Sequence, residues 1–397
     1  MTSFLEPSLR TEQMFPAKTA FMARTSLEKT RLLGFRPVNQ DTVTSLLFGL
    51  MSGMATIRHR SGATPAILDV YRRMGMRVDE DLHVYESGEQ AEALADQLIS
   101  KGHKLLYPYP LSEGRFAESG LLIPSALWEQ LNAKDRLADL VPPENLPGRR
   151  IMTLAQAAAH VPNGPVWLKA AGMQATGWGY AVRPCVDLVT YHKGLNDLAA
   201  LPGVTNVILE DDVPVHHCWG ASIAVNDTDV AFAGWAEQEF ASPGKLSGSV
   251  INPQAPFPAD GEALSRRIGE TARKLGFRGL AGFDIGQMTD GRLIVFDPNF
   301  RFTSSTTLAM FYPAMSKRSG LIAARGFHFA GKLPLADMID RFLPAAEEGW
   351  FLPTRLLDGS LLPAAQGQSM VTGIVMGASL DDTARRAARL AGNLDAE

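Results

Sequence analysis

The chain has 397 residues, 46% apolar and 20% charged, with a formal net charge of −4. That balance excludes wholesale disorder, and without a basic excess nothing asks for nucleic acid or an anionic membrane as partner. Two cysteines, Cys185 and Cys218, cannot build a disulfide framework and suit a reducing cytoplasm.

No secretory signal is expected, because MTSFLEPSLRTEQMFP has no apolar run behind a basic start. The stretch 43–57 is interrupted by Ser45, Gly49, Ser52 and Gly53 and falls short of the ~20 residues a spanning helix needs. Residues 91–101 (AEALADQLISK) carry apolar side chains at helical spacing and stop at Gly102. Residues 104–109 (KLLYPY) read as a short strand ended by prolines, so this region suggests an α/β unit. Ser125 is read as the N-cap of a helix from Ala126 to about Leu140, and Pro142, Pro143 and Pro147 mark a linker.

Beyond the linker strands dominate: 166–171, a glycine-bearing loop at 172–179, a partner strand at 180–183 and a buried strand at 206–210. Residues 221–225 and 230–235 flank an NDTD turn and predict a hairpin. Residues 263–275 predict an amphipathic helix with Leu264, Ile268, Ala272 and Leu275 on one face and Gly276 as its stop. A strand at 370–376 follows, then a helix at 380–394 with Asp381 and Asp382 at its positive end. The class is mixed α+β.

The most informative stretch is 282–301, GFDIGQMTDGRLIVFDPNFR. Asp290-Gly291 is a two-residue hairpin signal, and such a loop pairs Asp284 with Asp297 on one face, with Cβ atoms roughly 5 Å apart. Like charges so placed need a cation between them or a proton on one. Asn299 and Arg301 share the face of Asp297. Two carboxylates and an amide oxygen make a hard site for Mg²⁺ or Mn²⁺, and Arg301 offers a fork to a phosphoryl oxygen. The plainer alternative makes Asp284 a surface charge and Asp297-Pro298-Asn299 a turn. Lys169 follows the apolar strand start Pro165-Val166-Trp167-Leu168 and precedes AAGMQATGWGY, whose glycines would let backbone N–H groups approach phosphate. It is neither a Walker loop nor G-x-G-x-x-G. Glu210 closes the run Val207-Ile208-Leu209; it marks a strand leaving the core or, with the adjacent backbone, a partner for an adenine edge.

In their order these segments resemble the ATP-grasp superfamily, most of all its carboxylate–amine ligases: Lys134, Lys169 before Gly177 and Gly179, Glu210, then Asp284 with Asp297, Asn299 and Arg301. The resemblance implies an α+β ATP-grasp fold preceded by an α/β pre-grasp domain, divided as 1–124 (pre-grasp), 125–205 (small lid subdomain with the glycine loop) and 206–397 (core with the metal site and the final strand and helix). It also implies roles. Lys134 and Lys169 hold phosphates, and Thr176, Gly177, Trp178 and Gly179 close over the triphosphate. Glu210, Asp212 and Val213 hold adenine. Asp284, Asp297 and Asn299 bind two Mg²⁺, and Arg301 stabilises the transferring phosphoryl group.

Two positions depart from the pattern. Asp297 stands where Glu is common, and His217 stands where a ribose-binding acid is expected. His217 is read either as a ribose partner or as a structural histidine, and NAKDRL around Lys134 also reads as a solvated helix face. The expected activity is ATP-dependent amide or peptide bond formation through an acylphosphate, in the manner of natural-product peptide ligases. Cofactors are ATP and Mg²⁺ (or Mn²⁺), the partners small amino-acid-like carboxylates and amines, with a homodimer as one admissible assembly. The competing readings are a small-molecule kinase on the same fold and a non-catalytic nucleotide-binding protein.

Overall fold

In a computed structural model of the chain, residues 4–30, 33–172 and 180–395 are described, and they form three sheets. The first comprises β1 (Thr19–Met22), β2 (Ala55–His59), β3 (Asp81–Tyr85) and β4 (Lys104–Leu106), all parallel, in the order β3-β2-β1-β4. β1 and β2 are buried at every position, as strands covered on both faces must be. The helices Pro65–Arg73 and Gly88–Ser100 begin where Thr64 and Ser87 accept from the N–H groups of Ile67 and Gln90.

The second sheet is antiparallel: β5 (Arg149–Thr153), β6 (Val166–Ala171), β7 (Val182–Cys185) and β8 (Asn206–Asp211), in the order β5-β8-β6-β7. The third holds β9 (Val215–Val225), β10 (Val230–Ser242), β11 (Lys245–Ile251), β12 (Gly279–Met288), β13 (Leu293–Asn299), β14 (Ala323–Gly331), β15 (Phe351–Leu357) and β16 (Ser369–Gly377), in the order β13-β12-β9-β10-β11-β14-β16-β15. One continuous core joins the first and third sheets, through Phe21 and Phe48 to Phe283 and Phe327. The second sheet has a separate core around Leu168, Tyr191, Leu198 and Val207. Among the described residues no helix is long and apolar enough to cross a membrane.

The hairpin across NDTD forms as β9 and β10. The helix Ala259–Leu275 stops at Gly276, whose φ of +106° suits glycine, and the last strand and helix are β16 and Leu380–Asp395. Three expectations are corrected. Ser125 lies inside its helix behind Pro124, and that helix ends at Asn132, not near Leu140. Asn132 turns its side-chain amide back to the Trp128 carbonyl at 2.9 Å, local competition that disfavours continuing the helix. The chain then tightens into a 3₁₀ segment, Lys134–Asp139. The strand at 104–109 stops at Leu106, since Pro108 and Pro110 have no N–H to give a ladder. The partner of β6 runs from Val182 to Cys185 rather than over 180–183. Pro184 is tolerated there because β7 is an edge strand.

Candidate active site

The hairpin of β12 and β13 sets Asp284 opposite Asp297, Phe283 opposite Pro298 and Gly282 opposite Asn299. The route to that pairing is not a two-residue turn. Met288 N–H donates to the Arg292 carbonyl at 2.9 Å, so the tip is the three residues 289–291, with Gly291 at a φ of +87°. Beside the tip, Gly286 pairs with Ile294 and Ile285 with Val295. Continued unbroken, that ladder would put Phe296 opposite Asp284 and turn Asp297 to the other face. A bulge at Phe296 shifts the register by one and brings the two acids together. Gly286 makes room for the bulged ring: a Cβ there would lie 2.6 Å from Phe296 Cε2.

Burial pushes the Asp284 carboxyl up to about 7, and the charge of Asp297 adds to the rise. Gln238 Nε2 donates to Asp284 Oδ1 at 2.7 Å. Lys134, 6% exposed, forms an ion pair with Asp297, so NAKDRL is not a solvated helix face. Arg149 Nη2 donates to the Lys134 carbonyl at 2.7 Å and fixes that turn.

Lys169 on β6 and Glu210 on β8 lie diagonally on one face, since Lys169 pairs with Ile208 and Trp167 with Glu210. They form an ion pair of two buried side chains. Lys169 Nζ also donates to the Phe296 carbonyl at 3.2 Å. The bulge therefore aligns the carboxylates and supplies a point where the second sheet meets the third. Asn299 and Arg301 are each 8% exposed. Arg301 Nη1 donates to Asn132 Oδ1 at 2.9 Å, and the Phe300 N–H shares that oxygen at 3.0 Å.

Other expected residues make contacts of their own. Asp212 is exposed and accepts from the Trp167 indole N–H at 2.7 Å, in the connection to β9 that also carries Val213. His217 stacks on Trp219, with ring centroids 5.3 Å apart, and its Nδ1 lies 2.6 Å from Glu237 Oε1. Cys218 Sγ donates to Gln238 Oε1. Thr176, Gly177, Trp178 and Gly179 lie outside the described residues. Sequence reading missed Arg149, Gln238, Glu237 and Asn132. None sits in a spacing pattern, and each reaches the site through strand pairing or packing from a distant part of the chain.

Two buried polar atoms here have no hydrogen-bond partner, Glu210 Oε2 and Arg149 Nη1, and burial lowers the pKa of Arg149. Such atoms cost about 1–3 kcal/mol each unless a ligand satisfies them. Four cations, Lys134, Arg149, Lys169 and Arg301, stand among the three acids Glu210, Asp284 and Asp297. That charge pattern fits a nucleotide polyphosphate, and the oxygens of Asp284, Asp297 and Asn299 fit a hard divalent ion.

A family model described as "L-aspartate--L-methionine ligase N-terminal domain" matches residues 10–129, and one described as "L-aspartate--L-methionine ligase, ATP grasp" matches residues 147–299. The chain belongs to the ATP-grasp ligases. Solved structures share the fold of this ATP-grasp ligase from end to end. An ADP complex of N5-carboxyaminoimidazole ribonucleotide synthetase matches at 12% identity and a TM-score of 0.56, covering 98% of each chain. Biotin carboxylase from Campylobacter jejuni matches at 12% identity and 0.55, covering 93% of this chain and 89% of the other. L-amino acid ligase from Bacillus licheniformis matches at 11% identity and 0.52, covering 95% and 97%.

Proposed function

We propose that this ATP-grasp ligase joins two amino acids, with aspartate as the acid and methionine as the amine, in a reaction that turns ATP into ADP and phosphate. The substrate pair is the one in the description of the two matching family models. The chemistry rests on one observation: two carboxylates face each other across a hairpin, with lysines from two other segments against the same rungs.

In this reading a substrate carboxylate oxygen attacks the γ-phosphorus, the bond to ADP breaks, and an acylphosphate forms. The amine then attacks the acyl carbon and phosphate leaves, giving the amide. Magnesium held by Asp284, Asp297 and Asn299 would neutralise phosphoryl oxygens. Lys134 and Lys169 hold phosphate oxygens, exchanging their present carboxylate partners for them. Glu210 accepts from the adenine amino group through the oxygen that now has no partner. Glu237, beside His217, supplies the acid that position 217 lacks, as acceptor for the ribose. The role of covering the triphosphate, which would keep water from the acylphosphate, stays assigned to Thr176 to Gly179 on the resemblance alone. The division at 124 belongs to the same reading, and the separately cored second sheet is the lid; since β8 (Asn206–Asp211) is part of that sheet, the lid in this reading ends after 211 and not at 205.

The test is a phosphate-release screen over pairs of amino acids with Mg²⁺ and ATP. Release only when both amino acids are present, with a dipeptide in the product, is the expected result. A stable phosphorylated compound from one substrate alone would point to a kinase, and binding of ATP without turnover across the screen would refute the ligase. Within this reading Arg301→Lys is expected to lower kcat by roughly 10²-fold with an unchanged melting temperature, because a point charge cannot replace a fork held by Asn132. Steady-state kinetics and thermal unfolding check it.

A further inference from the structure

Cys218 and Gln238 form a hydrogen-bonded chain behind Asp284 that none of the roles above uses. Cys218 Sγ donates to Gln238 Oε1 at 3.2 Å, and Gln238 Nε2 donates to Asp284 Oδ1 at 2.7 Å. The three side chains come from three adjacent strands, with β9 between β12 and β10. Glu237 pairs with Trp219, which sets Gln238 beside Cys218 on the next rung. Asp284 pairs with Gly220 on the other edge of β9. Gln238 therefore reaches across β9 to Asp284, and it passes over Gly220. A Cβ at Gly220 would lie 3.9 Å from Gln238 Nε2 and 2.9 Å from Ser305 Oγ, so a longer side chain there would occupy the crossing.

The two acids of the hairpin are anchored differently. Asp297 is held by the Lys134 ammonium, a charge that a divalent ion would repel. Asp284 is held by a neutral amide, which can keep its hydrogen bond when an ion arrives, as the outer partners of ligating carboxylates do. An amide has two ends of nearly equal shape, one a donor and one an acceptor. Turned round, it would set its oxygen against the Asp284 carboxylate. The thiol at the far end decides the orientation. Burial raises the pKa of Cys218, and the charges of Asp284 and Glu237 add to the rise, so at neutral pH the sulfur keeps its proton and donates it to Oε1.

We propose that Gln238 is a positioning residue for the divalent ion: its amide fixes the direction of the Asp284 carboxylate, and the Cys218 thiol fixes the direction of that amide. Cys218 acts here as a hydrogen-bond donor, neither as a nucleophile nor as a ligand. The proposal deepens the ligase reading and rests on its assignment of Asp284 to the metal.

The experiment uses Gln238→Met, Cys218→Ala, Cys218→Ser and Asp284→Asn in the full chain. Two readouts are taken over a range of Mg²⁺ concentrations: phosphate release with ATP, aspartate and methionine, and the rise in melting temperature that ADP produces. The second needs no amino acid and stands whatever the substrate pair. Gln238→Met keeps the length of the side chain and loses the donor, so half-saturating Mg²⁺ should rise about 10- to 100-fold in both readouts. Cys218→Ala should raise it about three- to tenfold, and Cys218→Ser, which keeps a donor, should stay within about twofold of the wild type. A packing role would lower the melting temperature of the free protein and leave the Mg²⁺ dependence in place, and that result overturns the proposal. The two Cys218 variants decide it should Gln238→Met fail to fold: equal Mg²⁺ dependence in both and in the wild type overturns it too. Asp284→Asn tests the underlying assignment. An unchanged Mg²⁺ dependence there overturns the metal site itself, whereas a changed one beside an unchanged Gln238→Met overturns the positioning role alone.

Discussion

Asp297→Asn is expected to lower phosphate release by at least roughly 10²- to 10³-fold, and at the same time to flatten the pH dependence of stability. The first effect follows from losing one of two opposed carboxylate ligands. The second comes from Asp284. Its carboxyl is raised in the folded protein, to about 7 from an ordinary 3.8, by burial and then by Asp297. A raised carboxyl favours the fold while protonated, so the wild type without ligand loses stability as pH climbs from about 4 to about 7. Removing the neighbouring charge lowers the folded value and shrinks that loss. The sequence alone suggests that the substitution only relieves repulsion; the Lys134 ion pair adds an opposing cost, which the asparagine oxygen offsets in part. Thermal unfolding at several pH values, with and without the substitution, reads the slope. Equal turnover in the variant would remove Asp297 from the metal site, and an unchanged slope would remove it as a neighbour that matters to Asp284.

Lys169→Met should be costly in two separable ways. It leaves Glu210 charged and buried with neither oxygen paired, and breaking a buried ion pair costs about 3–5 kcal/mol. It also removes the cation proposed for phosphate, so KM for ATP should rise at least tenfold. The double variant Lys169→Met with Glu210→Gln removes the stranded charge. Its melting temperature should return most of the way to that of the wild type, while its affinity for ATP should not. Calorimetric unfolding and ATP titration separate the two effects. Recovery of ATP binding in the double variant would show that Lys169 acts only by neutralising Glu210.

What sequence could deliver here followed chain distance. β6 is bounded as the apolar run 166–171 indicates, and the glycine stop of Ala259–Leu275 is a local rule that local residues decide. The pairing of Asp284 with Asp297 was also legible, though by a different path: the difference of 13 between them arises equally from a two-residue tip with an unbroken ladder and from a three-residue tip with a bulge. Only packing of Phe296 over Gly286 separates these, and that is not a property of spacing. Burial of Lys134 was beyond reach for a related reason. A polar run such as NAKDRL looks solvated until the edge strand β13 is laid against it. Gln238 and Asn132 stand 46 and 168 residues from the backbone or side-chain groups they serve, and no local pattern carries such a contact.

The bulge at Phe296 also separates the hairpin's tip from its business end. Because the one-residue offset is absorbed between the rungs and not at the turn, residues 289–291 can be gained, lost or replaced by a graft without rotating either acid. Relatives with tips of different length can therefore keep the same chemistry, and a motif defined by counting from the turn would overlook them.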